Sequence, residues 1–183
     1  MRRARAIRSR TASVTSPEPR RRPDVAVDVQ RAVRAWAPSK ARIGGWIRAA
    51  VGRQGAGREV AVRVVGSAES RRLNRGWRQQ DHATNVLSFP APTAAPAMAA
   101  ARSLGDLVIC APVLAREARE QRKSQSAHWA HLVVHGSLHL VGFDHEHDAD
   151  ARRMERRETR ILAGLGFPDP YAVPHANSRQ GRA

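Results

Sequence analysis

The sequence predicts an α+β domain, a small mixed four-stranded sheet packed with about five helices. Three observations point there. Four short runs rich in Val, Ile and Leu have the length and period of strands. Apolar residues at three- and four-residue spacing lie between and after those runs, concentrated late in the chain. Gly and Pro punctuate the junctions. No apolar run reaches the eighteen or so residues that a membrane helix needs, so no spanning segment is expected.

Taken in order, Val25, Val27 and Val29 alternate with polar or small residues and read as a first strand. Ser39 can cap a helix whose Ile43, Trp46, Ile47, Ala50 and Val51 share one face, in spite of Gly44 and Gly45. Val60 to Val65 is the second strand. Ser67 is read as the cap of the next helix, with Leu73 and Trp77 on its buried side. Asn85 to Phe89 forms a third strand stopped by Pro90, and the Ala/Pro stretch from Ala91 to Ala101 a loop. Leu107 to Cys110 is the fourth strand, and Pro112 suits the first turn of a helix running to about Arg122. Two longer helices follow, from about Ala127 to Val141 and from about Ala149 to Gly164 or Gly166.

Length and composition narrow the function classes. The 183 residues suit one compact domain, here 24–173, between a basic tail at 1–23 and a loose polar end at 174–183. Eight Arg and one Glu lie between Met1 and Arg22, so that segment repels itself and has little to bury. It lacks the apolar centre of a secretory signal and reads as an RNA-binding arm or an overextended start. Lys and Arg number 32 against 16 Asp and Glu, a formal charge of +16 that favours polyanionic partners. The lone Cys110 excludes an internal disulfide and reads as a small buried hydrophobe.

Six of the eight histidines fall between His128 and His147. The run HGSLHLVGFDH, His135 to His145, is the informative one. Residues four apart share a helix face, so His135 and His139 can aim at one ion. Gly142 can then end the helix in a left-handed conformation and let the chain fold back to deliver His145. Three imidazoles with one open position is the pattern of a catalytic zinc site, whereas structural sites usually close with thiolate. The same spacing occurs in zinc proteases reading HExxHxxGxxH, but their general base stands where this chain has Gly136. Proteolysis is therefore disfavoured. His131 reads as a core histidine or a neighbour of the ligands. Glu158, on the apolar stripe of the last helix with Met154, Ile161 and Leu165, needs a partner, either a metal-bound imidazole or an Arg. His147 stands close enough to compete with His145, while His82, His128 and His175 read as ordinary.

Together with LNRGWRQQDHATNVLSFP (Leu73–Pro90) and LGDLVIC (Leu104–Cys110), the histidine run resembles the YbeY family of bacterial endoribonucleases across roughly Asp24 to Tyr171. The resemblance implies a cytoplasmic, metal-dependent hydrolase that cuts single-stranded RNA, matures small-subunit (16S) rRNA including its 3′ end, and serves ribosome quality control. Its partners would be ribosomal RNA, the small ribosomal subunit and associated assembly proteins, with no membrane. Carried over by position, His135, His139 and His145 hold one zinc ion, with nickel an alternative in preparations, and Arg78 is the functional arginine that meets the scissile phosphate. The basic extension and the Ala/Pro-rich loop depart from the family pattern without touching these motifs. Two other readings stay open: a ribosome-assembly factor whose zinc is structural, and a metal-dependent hydrolase of another substrate.

Overall fold

The computed structural model describes residues 24–92, 102–145 and 147–172. The expected tails at 1–23 and 174–183 and most of the Ala/Pro loop lie outside them. Four strands, β1 (Ala26–Arg31), β2 (Glu59–Val65), β3 (Val86–Pro90) and β4 (Ser103–Cys110), form one sheet in the order β1-β2-β4-β3. β1, β2 and β4 run parallel, and β3 closes the edge antiparallel to β4. Five helices accompany them: α1 (Lys40–Val51), α2 (Ser67–Arg78), α3 (Ala111–Glu120), α4 (Gln125–Leu140) and α5 (Asp148–Gly164), with a 3-10 turn at Gly52–Gly55. This is the expected α+β architecture.

Strand alternation splits the apolar residues between two faces. Val60, Val62, Val64, Val86, Leu107 and Ile109 face the main core, where Ile43, Ile47, Trp129, Val133, Leu138 and Met154 meet them. Val65, Leu87, Val108 and Cys110 point the other way and join Val113 in a smaller cluster, with Leu73 and Phe89 packed against it. The main core lies under α1, α4 and α5. α4 is its hub, packing on α1, α3, α5, β3 and β4.

Local signals account for most boundaries. Ser39 caps α1 by accepting a hydrogen bond from the Arg42 backbone N–H at 3.3 Å, and the five residues expected on its inner face are buried. Ser124 does the same for α4 through the Ala127 N–H at 3.1 Å. Pro112 stands in the first turn of α3. β4 begins at Ser103, four residues before the apolar run, because pairing with β2 and β3 holds the polar stretch around Asp106 extended.

α2 corrects two expectations. Gly66, not Ser67, is its N-cap, and Ser67 is already helical. Its buried residues are Ser70 and Asn74, and Trp77 stands 71% exposed. The reason lies in the returning chain. Ser70 Oγ donates to the Thr84 carbonyl at 2.8 Å and accepts from the Thr84 N–H at 3.0 Å, and Asn74 Nδ2 donates to the His82 carbonyl at 2.9 Å. These two polar side chains hold residues 82–84 against the helix, so Leu73 packs only in part against the smaller cluster and Trp77 stands at the edge of a groove on the sheet's second face.

A candidate metal centre at the end of the central helix

The site begins with the way α4 ends. The Phe143 N–H reaches back to the Leu138 carbonyl at 3.0 Å, and the Gly142 N–H to the His139 carbonyl at 3.1 Å. Gly142 adopts φ 86°, the left-handed conformation that such a helix end requires. The chain therefore reverses at once, and Asp144 Oδ1 fixes the next turn by accepting from the His145 N–H at 2.7 Å. His145 returns beside His135 and His139. One ring nitrogen from each of the three lies within 4.8 Å of the others, a set that could hold a metal ion. The ring centroids stand 4.8, 4.9 and 5.6 Å apart. His135 and His139 are half-buried and His145 is exposed.

One ring is oriented from behind. Glu158 of α5 is 0% exposed, and its Oε1 lies 2.8 Å from His135 Nδ1. A carboxylate only accepts, so Nδ1 carries the proton and Nε2 of His135 is left as the donor. Oε2 lies 3.0 Å from His131 Nε2 and also accepts from the Tyr171 hydroxyl. Burial alone would raise the Glu158 pKa, but hydrogen bonds from His131, His135 and Tyr171 outweigh it and lower it to about 2. Burial and then the same contact push the Tyr171 hydroxyl upward. Burial and, secondarily, the neighbouring His135 and His145 press His139 down to about 4, so it is neutral, the protonation state a metal ligand needs.

Converging imidazoles, one with its tautomer set by an ionised carboxylate and one held neutral, fit a divalent ion that favours nitrogen. Cys110 is buried on the far face of the sheet with Val65 and Val108, so no thiolate completes the set. Gly136 explains the absent glutamate in steric terms. A Cβ there would lie 2.9 Å from Leu107 Cδ2, 3.0 Å from Ser88 Oγ and 3.2 Å from Val86 Cγ2. The position is pressed against β3 and β4, and a side chain would force helix and sheet apart.

The remaining expectations fall out as follows. Of the two options for Glu158, the imidazole is its partner. His147 is the exposed N-cap residue of α5 and stands outside the three-histidine group. Arg78 is the exposed last residue of α2 and forms no ion pair among the described residues. Among the described residues no hydrogen bond or ion pair ties it to the histidines. Sequence reasoning missed Tyr171, which follows the last helix with no periodic signal. His128, read as ordinary, is buried with Nε2 2.8 Å from Glu117 Oε2. Arg152, Arg153, Arg156, Arg157 and Arg160 are exposed on α5, the helix that carries Glu158. The Arg153 guanidinium stands 5.1 Å above the ring of Phe143, in the loop that carries His145.

Comparison with known proteins agrees with this geometry. The family model for endoribonuclease YbeY matches residues 36–166. A protein named endoribonuclease YbeY from Halorhodospira halophila is 54% identical over 144 residues, 78% of this chain and 93% of that one. Another of that name, from Pseudomonas entomophila, is 50% identical over 152 residues, 83% and 96% of the two chains. A solution structure of a Thermotoga maritima protein shares the fold, with a TM-score of 0.50 at 20% identity over 86% of this chain and 99% of that one. The match runs from the loop before α1 to the end of α5 and so encloses all three histidines and Glu158: the chain belongs to the endoribonuclease YbeY family.

Proposed function

We propose that this protein is a metal-dependent endoribonuclease acting on single-stranded RNA, with its role in maturing the 3′ end of 16S rRNA and in ribosome quality control. The observation that carries the reading is the convergence of His135, His139 and His145 over a buried, ionised Glu158. Zinc is the favoured ion for three nitrogen donors with an open position, and nickel is the alternative. When bound there, the ion supplies Lewis acidity to a phosphodiester. Glu158 fixes His135, and Tyr171 and His131 fix Glu158, so that ring is held in place before substrate arrives. Arg78 is assigned to grip the scissile phosphate and neutralise charge as it builds. The exposed arginines of α5, with Arg153 beside the loop that carries His145, favour a polyanionic substrate. The working unit is the domain from 24 to 173. Ribosomal RNA on the small subunit is the expected partner, in the cytoplasm. Among the described residues no helix is long and apolar enough to cross a membrane.

The test is cleavage of single-stranded rRNA by wild type and by His139→Ala, with metal measured on both. Wild type should carry about one ion per chain and cut, and the variant should lose both properties. Equal cutting by both proteins would place the activity elsewhere. Arg78→Lys should keep the metal and lose about 100-fold in cleavage, on the scale of removing one preorganised donor. Unchanged turnover would end that assignment. Growth rescue by His139→Ala would instead favour an assembly factor.

A further inference from the structure

The outer face of α5 carries charge that the metal centre does not use. Arg152, Arg153, Arg156, Arg157 and Arg160 fall within one arc of about 140° around the helix, opposite the side that Met154, Glu158 and Leu162 bury. Besides them the helix places only Ala149, Ala163 and Gly164 in that arc, and all eight residues are exposed. None of the five arginines forms an ion pair among the described residues. Arg152, Arg156 and Arg160 stand one turn above another, as do Arg153 and Arg157, and like charges at that spacing repel.

The nearby acids lie off the arc. Asp148 and Asp150 sit in the first turn, where the helix dipole favours negative charge. Glu155 lies on the flank from which its charge acts on Tyr171. On that same flank Asp169 is held by the Thr159 hydroxyl at 3.2 Å and the Tyr171 N–H at 3.0 Å. The row of cations is therefore left for something outside the domain.

Its near end adjoins the metal centre. α5 begins three residues after His145, and the Arg153 guanidinium stands over Phe143, two residues before His145. From Arg153 the row continues about 10 Å along the helix axis to Arg160.

Composition decides the occupant. A helix that lies in a membrane surface sets Trp, Phe or Leu beside its cations, and a protein interface is built around aromatic anchors. Only Ala and Gly interrupt these arginines. Guanidinium groups pair bidentately with phosphate, and four helical residues advance about 6 Å, comparable to one step of an extended nucleic-acid backbone. With no aromatic ring in the arc, bases find no platform there, and the contacts go to phosphates.

We propose that the outer face of α5 is a phosphate track, along which the backbone of the RNA flanking the cut lies once it has passed Phe143 and Arg153. This rests on the reading of the metal centre as an RNA-cutting site. Phosphates carry no sequence information, so the track adds affinity for longer RNA without preference for any base.

The test compares full-length wild type with two triple variants of equal net charge, each shown to be folded and to hold as much metal as wild type. One carries Arg152→Gln, Arg156→Gln and Arg160→Gln. The other carries Arg34→Gln, Arg53→Gln and Arg119→Gln, exposed arginines before α1, in the 3-10 turn and on α3. Binding is read by anisotropy on labelled single-stranded RNA with 2′-O-methyl riboses, shown intact on a gel after each titration. The α5 variant should bind about tenfold or more weakly at low salt, with the slope of log affinity against log salt shallower by about 2. The other variant should stay within about threefold of wild type, since scattered charge acts only through the screened overall field. As the RNA is shortened, the gap between wild type and the α5 variant should close. Equal losses in the two variants would reduce the effect to net charge and overturn the track, as would a loss that is the same at every RNA length. So would an α5 variant that binds RNA normally but no longer binds phosphatidylserine vesicles, which would make the row a membrane-facing patch. Wild type that neither binds nor cuts single-stranded RNA would sink the reading of the metal centre itself. Wild type that binds and cuts beside an indistinguishable α5 variant removes the track alone.

Discussion

The two ends of α4 carry the same chemistry with different outcomes. Near its start, His128 Nε2 meets Glu117, which also accepts from Asn85 Nδ2 at 3.1 and 3.2 Å. Near its end, His135 Nδ1 meets Glu158, which also serves His131 and Tyr171. Both are imidazole–carboxylate pairs with extra donors. The difference lies in the second ring nitrogen. His128 is 3% exposed, and its Nδ1 is buried without a hydrogen-bond partner among the described residues. The free nitrogen of His135 looks out toward two more imidazoles. A buried carboxylate on a histidine is therefore not a functional signature alone. It becomes one when it leaves the other nitrogen committed to an open, shared point.

That contrast breaks or stands on paired substitutions. The largest effect should come from His135→Ala against His128→Gln. The first should abolish metal binding and cleavage, and the second should lower stability yet leave both nearly intact; metal analysis and cleavage assays on the folded variants decide it. Loss of metal from His128→Gln would mean that the two ends of the helix act as one site. Next comes Glu158→Gln against Glu117→Gln. Replacing Glu158 should weaken metal affinity by about 10- to 100-fold, as for other partners of metal-bound histidines. Glu117→Gln should leave affinity unchanged. Competition with a chelator separates them, and equal losses would remove the distinction.

The sequence was legible where a local rule coincided with the tertiary outcome. His135 and His139 share a face because of helical pitch, and Gly142 reverses the chain because it can take positive φ. Alternating valines located β1, a β-branched run located β2, and a serine cap located α1. Trp77 was misplaced because a periodic apolar stripe signals a shared face without saying whether that face meets a core or a groove. Ser70 and Asn74 gave no hint of burial, since their value lies in hydrogen bonds to a loop ten or so residues on. Glu158 was suspected because a carboxylate on an apolar stripe must find a partner. Its link to Tyr171 closes a space between α4 and the chain after α5, which no local pattern encodes.

Two smaller effects sharpen the comparison. Tyr171→Phe removes one donor from Glu158, at a site where the tyrosine is 43% exposed. It should lower stability by about 1 kcal/mol, less than a fully buried bond to a charged group, with a modest fall in metal affinity. No change in either would show that His131 and His135 suffice to hold the carboxylate. The smallest effect is at the other end of the helix and is read as pH dependence in metal-free protein. For Glu117, burial raises the pKa, but the hydrogen bonds from His128 and Asn85 prevail, and it lies below the ordinary 4.5. A carboxyl with a depressed folded pKa contributes stability that is full above its unfolded pKa and drains away as pH falls through the folded one. Denaturant melts of wild type should therefore lose stability, relative to Glu117→Gln, as pH drops from 6 toward 3. Glu158, held near 2, drains stability over the same window in both proteins and so cancels from the difference. Parallel curves for the two proteins would mean that Glu117 is no better bound in the folded chain than in the unfolded one, and the pairing at the start of α4 would then be packing without electrostatic stabilisation.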